Sequence, residues 1–367
     1  MMEINEVERV GKGSVFGGLA ELNHEQVVFC YDEPTGLKAI IGIHNTVLGP
    51  ALGGTRMWNY ASEQEAIRDV LRLSRGMTYK AAITGLNLGG GKAVIIGDAS
   101  TMKTEAFLRR FGKFVESLNG KYITAEDVNM KTRDMEYIGM ETSHVTGLPE
   151  SMGGGGDPSP VTAYGTYMGM KATAKKVYGN DSLTGKKVAV QGVGQVGMYL
   201  VEHLVKENAE VFITDISEEK LKNVSSQYGA KVVGMDEIYD LDMDIYAPCA
   251  LGATLNDNTI GRLKCQIVAG AANNQLEEEH KHGNMLIDKG IMYAPDFLIN
   301  AGGLINVYEE HLGSYNRDRA YNTAEKIYDT CLNILNVAEE KGIPTQQAAI
   351  QLAEKRIADI GKVKLPR

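Results

Sequence analysis

Basic charge is not in excess in this sequence. Its 38 lysines and arginines face 47 aspartates and glutamates, for a net charge of -9. A nucleic-acid binder would show the opposite balance, so that class is disfavoured. Cysteine is scarce. Cys30, Cys249, Cys265 and Cys331 form no C-x-x-C pair, and none lies beside a histidine at metal-ligand spacing. A disulfide framework and a metal centre are therefore not expected, and a reducing compartment fits best. No stretch approaches the ~18 consecutive apolar residues of a membrane-crossing helix. The opening Met1-Met2-Glu3-Ile4-Asn5-Glu6 is acidic and lacks the apolar core of a signal peptide. The expected location is the cytoplasm. The histidines, His24, His44, His144, His203, His280, His282 and His311, show no His/Arg constellation of the kind a 2-hydroxy-acid dehydrogenase wants. Glycine is what the chain has in excess, 42 of 367 residues, against a usual share of ~7%. Without a Gly-X-Y period, collagen is excluded.

At roughly 100–200 residues per domain, the length predicts two or three domains. Glu25–Asp32 and Leu37–His44 read as strands around the turn Glu33-Pro34-Thr35-Gly36. Ser62 with Glu65 matches a capping box, and Ala66, Val70, Leu73 and Met77 give helical spacing. Lys92–Asp98 reads as a buried strand, 104–118 as a helix and Lys121–Ala125 as a strand. Gly153-Gly154-Gly155-Gly156-Asp157-Pro158 breaks this α/β unit and is a hinge candidate. Beyond it, strands at Lys187–Gln191, Val211–Asp215, 244–247, 267–269 and 291–294 alternate with helices, which implies a parallel, doubly wound sheet. The expected fold class is thus α/β in two domains. The first is residues 1–148 joined by a C-terminal helix at about 344–367. The second, 149–343, is a Rossmann-type dinucleotide-binding domain.

Gly192-Val193-Gly194-Gln195-Val196-Gly197 is G-x-G-x-x-G between a strand and a helix, and the next strand ends at Asp215. Gly192 permits the tight turn, Gly194 lets the backbone approach a pyrophosphate and Gly197 allows close helix–strand packing. The helix N-terminus offers free N–H groups to the phosphates. Asp215 would bind the ribose hydroxyls and repel a 2′-phosphate, which favours NAD over NADP. A flavin can use the same turn. Tyr167-x-x-x-Lys171 has the spacing of a short-chain dehydrogenase pair but precedes the fingerprint, so it reads as helix surface.

Lys92 stands between three glycines and Ala93-Val94-Ile95-Ile96, a placement that predicts partial burial. Burial and a neighbouring cation both lower an ammonium pKa, which can make lysine a base near neutral pH. Lys80 closes a helical stretch and Asp127 sits just past a strand, where ligands collect in open α/β sheets. All three placements equally suit surface charges at element ends.

Taken in order, Pro50–Arg56, Gly76–Lys80, Gly85–Lys92, Ala125–Val128, Gly192–Gly197, Gly270–Gln275 and Ile299–Gly303 resemble the glutamate/leucine/phenylalanine/valine group of amino-acid dehydrogenases over nearly the whole chain. The residues before Asn23 look like an N-terminal extension. The resemblance implies a catalytic cleft between the domains, and roles residue by residue. Lys92 matches the catalytic lysine, acting through water. Asp127 matches the acid that exchanges protons with the substrate amine. Lys80, with the Gly53-Gly54 backbone, matches the site of the substrate α-carboxylate, and its charge is expected to depress Lys92 further. Asn274 matches an asparagine near substrate and nicotinamide. Thr162 and Asn273 match cofactor contacts. Glutamate-specific relatives carry a lysine where this chain has Leu52, so glutamate should be rejected. Leu52, Ala125, Leu304 and Val307 form an apolar pocket in this reading. The implied activity is reversible NAD-dependent oxidative deamination of L-leucine and other branched-chain amino acids, with valine or phenylalanine as the alternative substrate. No metal is implied, and a homo-oligomer, an octamer by resemblance, is. A non-catalytic nucleotide-binding protein is the rival from another class. The excess glycines then fall where backbone must approach ligand or bend between domains.

Overall fold

The structure, a computed structural model, describes residues 15–363. Of the segment read as an N-terminal extension, Val15–Leu22 forms a helix, and residues 1–14 lie outside the described part. The chain divides into two compact units. One runs up to Gly156 and takes in Glu310–Tyr315 and the residues from Arg356 on; the other comprises Asp157–Glu309 and Asn316–Lys355.

The first unit is built on five strands, β1 (Gln26–Asp32), β2 (Leu37–Asn45), β3 (Ala51–Trp58), β4 (Gly89–Ile96) and β5 (Tyr122–Glu126). Their order is β1-β2-β4-β3-β5, with β4-β3-β5 parallel and the other two pairings antiparallel. Side chains alternate between faces, and both faces are covered. Ile41, Ile43, Ala93 and Ile95 join Phe107, Phe111 and Tyr122 in one core. Ile40 and Val94 face the other way, onto Ala66, Val70 and Leu71 of the Glu63–Ile83 helix. Two-sided burial explains why these strands read as continuous apolar runs. The capping box is half realised. Ser62 accepts from Glu65 N–H, but the Glu65 carboxylate takes Ala61 N–H at 2.9 Å instead of that of Ser62.

Strand β3 has no counterpart in the sequence reading, because Gly53-Gly54 argues against a strand. Likewise β4 begins at Gly89, three residues before the expected start. The reason is crowding. A Cβ at Gly53 would lie 1.7 Å from Gly91 O, and one at Gly90 would lie 2.1 Å from Thr78 N. These glycines let strands and helix approach one another, so their first demand comes from the protein itself, not from a ligand.

The second unit holds six parallel strands, β6 (Lys187–Gln191), β7 (Glu210–Thr214), β8 (Lys231–Val232), β9 (Ile245–Pro248), β10 (Ile267–Val268) and β11 (Met292–Tyr293). Their order is β11-β10-β9-β6-β7-β8. Numbered within this unit it is 6-5-4-1-2-3, the dinucleotide-binding order, whose direction reverses between β6 and β9. The helix Ser159–Tyr178 precedes β6. Its Tyr167 hydroxyl and Lys171 ammonium both bind Glu207, at 2.5 and 2.8 Å. The pair is half-buried in this cluster, not open helix surface.

Among the described residues no helix is long and apolar enough to cross a membrane.

Candidate active site

Register brings the first unit's candidates together. Leu52 pairs with Gly90 and Ile123, and Gly54 with Ala125. Partners in register share a face, so Leu52, Gly54 and Arg56 of β3, Lys92 of β4 and Ala125 of β5 all point to the side covered by the Glu63–Ile83 helix. Continuing the β3–β5 register by one step sets Asp127 opposite Arg56. Lys80 lies near the end of the covering helix, half-buried.

Lys92 is only 6% exposed. Its Nζ lies 3.1 Å from Asp127 Oδ2. The same oxygen accepts from Arg56 Nε at 2.9 Å, and Arg56 Nη1 meets Asp69 Oδ2 at 3.1 Å. Burial pushes the Lys92 ammonium below its ordinary range. Asp127 opposes that shift, and the Arg56 charge adds to it. Arg56, a cation to which the sequence reading gave no role, thus acts on Lys92. Burial alone would raise Asp127, but Lys92 and Arg56 reverse this and hold its carboxyl below the usual range. Asp127 is therefore an ionised acceptor, and among the described residues its Oδ1 takes no hydrogen bond. Gly54 makes room for it, since a Cβ there would lie 2.9 Å from Asp127 Cβ and 2.3 Å from Glu126 O. Leu52 and Ala125 are buried beside the pair.

In the second unit the fingerprint occupies the turn from β6 into the Gln195–Lys206 helix. Gly192 has φ of 99°, and a Cβ on it would meet Ala250 at 2.6 Å. A Cβ on Gly197 would lie 2.1 Å from Gly192 O, whereas one on Gly194 meets nothing within 4 Å. Two of the three glycines are thus required by packing, and Gly194 alone faces open space. Among the described residues no side chain caps this helix, whose Ncap is Gly194. Its first-turn N–H groups stay available to an anion. Asp215 Oδ2 accepts from Val193 N–H at 2.8 Å and Oδ1 from Ser217 N–H at 2.9 Å, which fixes the carboxylate at the carboxyl end of β7. Val193 and Gly197 are buried, while Gln195 is exposed and Val196 half-buried on the helix's first turn. The turn's shape and donors fit a dinucleotide.

Elsewhere in this unit, the Thr162 hydroxyl donates to Pro158 O at 3.0 Å. Asn273 and Asn274 are exposed after β10. Asn273 Oδ1 accepts from Asn300 at 2.8 Å, and Asn274 has φ of 52°. Leu304 and Val307 lie one turn apart on the Gly302–His311 helix, the first buried and the second half-buried. Arg56 and Asp69 are site residues that the sequence reading assigned no role. No local signal could have found them, because Arg56 meets Asp127 only through the β3–β5 register of the folded sheet.

The family model "Glu/Leu/Phe/Val dehydrogenase, dimerisation domain" matches residues 24–144. A second, "Glutamate/Leucine/Phenylalanine/Valine dehydrogenase", matches 153–218 and 212–364. The chain belongs to this family. Similar members include a leucine dehydrogenase of Thermoactinomyces intermedius, 56% identical over 95% of each chain. A phenylalanine dehydrogenase of Caldalkalibacillus thermarum (strain TA2.A1) is 49% identical over 91% of each. Among solved structures, L-tryptophan dehydrogenase from Nostoc punctiforme superimposes with a TM-score of 0.86 at 47% identity, covering 95% of this chain and 100% of that one. As a Glu/Leu/Phe/Val dehydrogenase, the protein is an oxidoreductase of amino acids that works with a nicotinamide dinucleotide.

Proposed function

We propose that the protein catalyses reversible oxidative deamination of L-leucine and related branched-chain amino acids: amino acid, NAD and water give the 2-oxo acid, ammonia and NADH. The observation that carries this reading is the buried Lys92–Asp127 pair beside apolar Leu52 and Ala125. In its charge-neutral state Lys92 is the base that takes a proton from the water adding to the substrate iminium carbon. Asp127 exchanges protons with the amine through its unbonded oxygen. Lys80, with the backbone of Gly53 and Gly54, binds the α-carboxylate. Asn274 orients the substrate. Bound NAD supplies the hydride acceptor at nicotinamide C4. The Gly192–Gly197 turn would hold its pyrophosphate, with Gly192 and Val193 shaping the turn and the first-turn N–H groups from Gln195 on as donors. Asp215 would hold its adenine ribose, and Thr162 and Asn273 its nicotinamide end. The first unit thus serves substrate binding and oligomerisation, and the second binds the cofactor.

Leucine is favoured over glutamate because Leu52 and Ala125 offer no partner to a second carboxylate, whose burial would go uncompensated; Leu304 and Val307 on the second unit are likewise apolar. Similarity to a leucine dehydrogenase at 56% identity, against 49% for a phenylalanine dehydrogenase, points the same way. One methylene is worth only ~1–3 kcal/mol, so valine and isoleucine should also be accepted. A homo-oligomer, with the octamer as its form, and a cytoplasmic location complete the reading. The test is Lys92→Ala. Turnover is expected to fall at least ~100-fold with NADH still bound at wild-type affinity; undiminished turnover contradicts the assignment.

A further inference from the structure

We propose that Arg56 and Asp69 are positioning residues for this reaction, forming a salt-linked row, Asp69–Arg56–Asp127–Lys92, that fixes which oxygen of Asp127 faces the substrate and keeps Lys92 from being held too tightly. The inference rests on the roles of Lys92 and Asp127 just proposed.

The row alternates in charge. Arg56 Nε and Lys92 Nζ share a single oxygen, Asp127 Oδ2, at 2.9 and 3.1 Å. The outer end is anchored in turn. Asp69 Oδ2 accepts from Arg56 Nη1 at 3.1 Å and from the Tyr60 hydroxyl at 2.7 Å, while Asp69 Oδ1 takes Arg72 Nη2 at 3.0 Å. A planar guanidinium bound at Nε by one carboxylate and at Nη1 by another has little freedom left to turn. That rigidity passes to Asp127. With Oδ2 engaged by two cations, Oδ1 is the oxygen left for the substrate amine.

The shared oxygen also sets the electrostatics. A lysine and an aspartate alone in a buried site would form a tight pair that favours the ammonium. A second cation on the same oxygen competes for it and repels the first. Groups that act on Lys92 include Asp127 from the end of β5, Arg56 from β3 and Asp69 from the Glu63–Ile83 helix, the helix that also carries Lys80. Tyr60 and Arg72 hydrogen-bond Asp69, and Tyr60 also interacts with Arg56. Lysine at position 56 would keep the charge without the two-edged geometry, and glutamine would lose both.

The test is the pH profile of kcat/KM for Arg56→Gln, Arg56→Lys and Asp69→Asn in the full chain, using the amino acid that the wild type turns over fastest. Removing the Arg56 cation raises the pKa of Lys92, and the acid limb should move to higher pH. For Arg56→Gln the expected shift is about one unit, with kcat/KM about tenfold lower at pH values on that limb. Arg56→Lys should restore the limb's position but not kcat, because orientation is lost. Asp69→Asn should lower kcat about fivefold with KM little changed, since Asp127 acts on the reacting amine. A folded Arg56→Gln enzyme whose acid limb stays in place overturns the proposal. If that variant does not fold, full kcat in both Arg56→Lys and Asp69→Asn overturns it. Failure of the underlying reading looks different: the wild type itself would turn over no amino acid.

Discussion

Asp215 shapes a turn and, on the proposed reading, selects a ligand. Its carboxylate is held by two backbone N–H groups, those of Val193 and Ser217, and so is fixed before any cofactor arrives. On the proposed reading, its charge at the end of β7 would repel a ribose 2′-phosphate. Asp215→Ser should reduce the preference for NAD over NADP by about tenfold or more, corresponding to ~1.4 kcal/mol. The ratio of kcat/KM for the two cofactors measures it, and an unchanged ratio would place the selectivity elsewhere. Arg56 illustrates the opposite case, a side chain whose importance is invisible in its local context. Nothing in Gly53-Gly54-Thr55-Arg56 says that an arginine will share an oxygen with a lysine 36 positions away.

At the scale of elements, β3 carries the most information per residue. Gly54 lies on the crowded inner side of the sheet, where an added methyl would collide with Glu126 O. Gly54→Ala should therefore destabilise the first unit by ~1–3 kcal/mol and, by displacing Asp127, lower kcat/KM. Gly76 is the control. It sits exposed inside the Glu63–Ile83 helix, and a methyl added there would meet nothing within 4 Å, so Gly76→Ala should stabilise by about 0.5–1 kcal/mol. Thermal melts of both variants decide the sign. This contrast also marks what was legible in the sequence. The alternation of strands and helices in the second unit, the fingerprint turn and Asp215 were readable, because each depends on residues close together in the chain. Strand β3 was not, because its glycines answer to β4 and β5, whose pairing is non-local. The same holds for Arg56 and Asp69. From local context Lys92 was readable only as an oddity, a cation inside an apolar run; resemblance to the family singled out both Lys92 and Asp127, while their pairing needed the register of the folded sheet.

At the scale of the whole molecule, two histidines contribute to the loss of stability in acid. His24 and His44 contact edge to face at 4.8 Å. His44 Nε2 donates to Leu22 O and its Nδ1 accepts from Thr78. Burial lowers both to about 4. Unfolded histidines titrate near 6.5, so between pH 6.5 and 4 the unfolded chain binds more protons and stability falls as pH falls. For the buried His44 the loss approaches about 3 kcal/mol at the acid end. The melting temperature should accordingly drop between pH 7 and 5, and His44→Gln should make that drop shallower; equal slopes would contradict the assignment. The central claim concerns what the assembled molecule does, and it has a direct measurement: NADH formation followed at 340 nm with the purified protein, NAD and each L-amino acid in turn. L-leucine should give the highest kcat/KM, with valine and isoleucine within about 100-fold and glutamate inert. No reduction of NAD with any amino acid, or glutamate as the best substrate, would contradict the account.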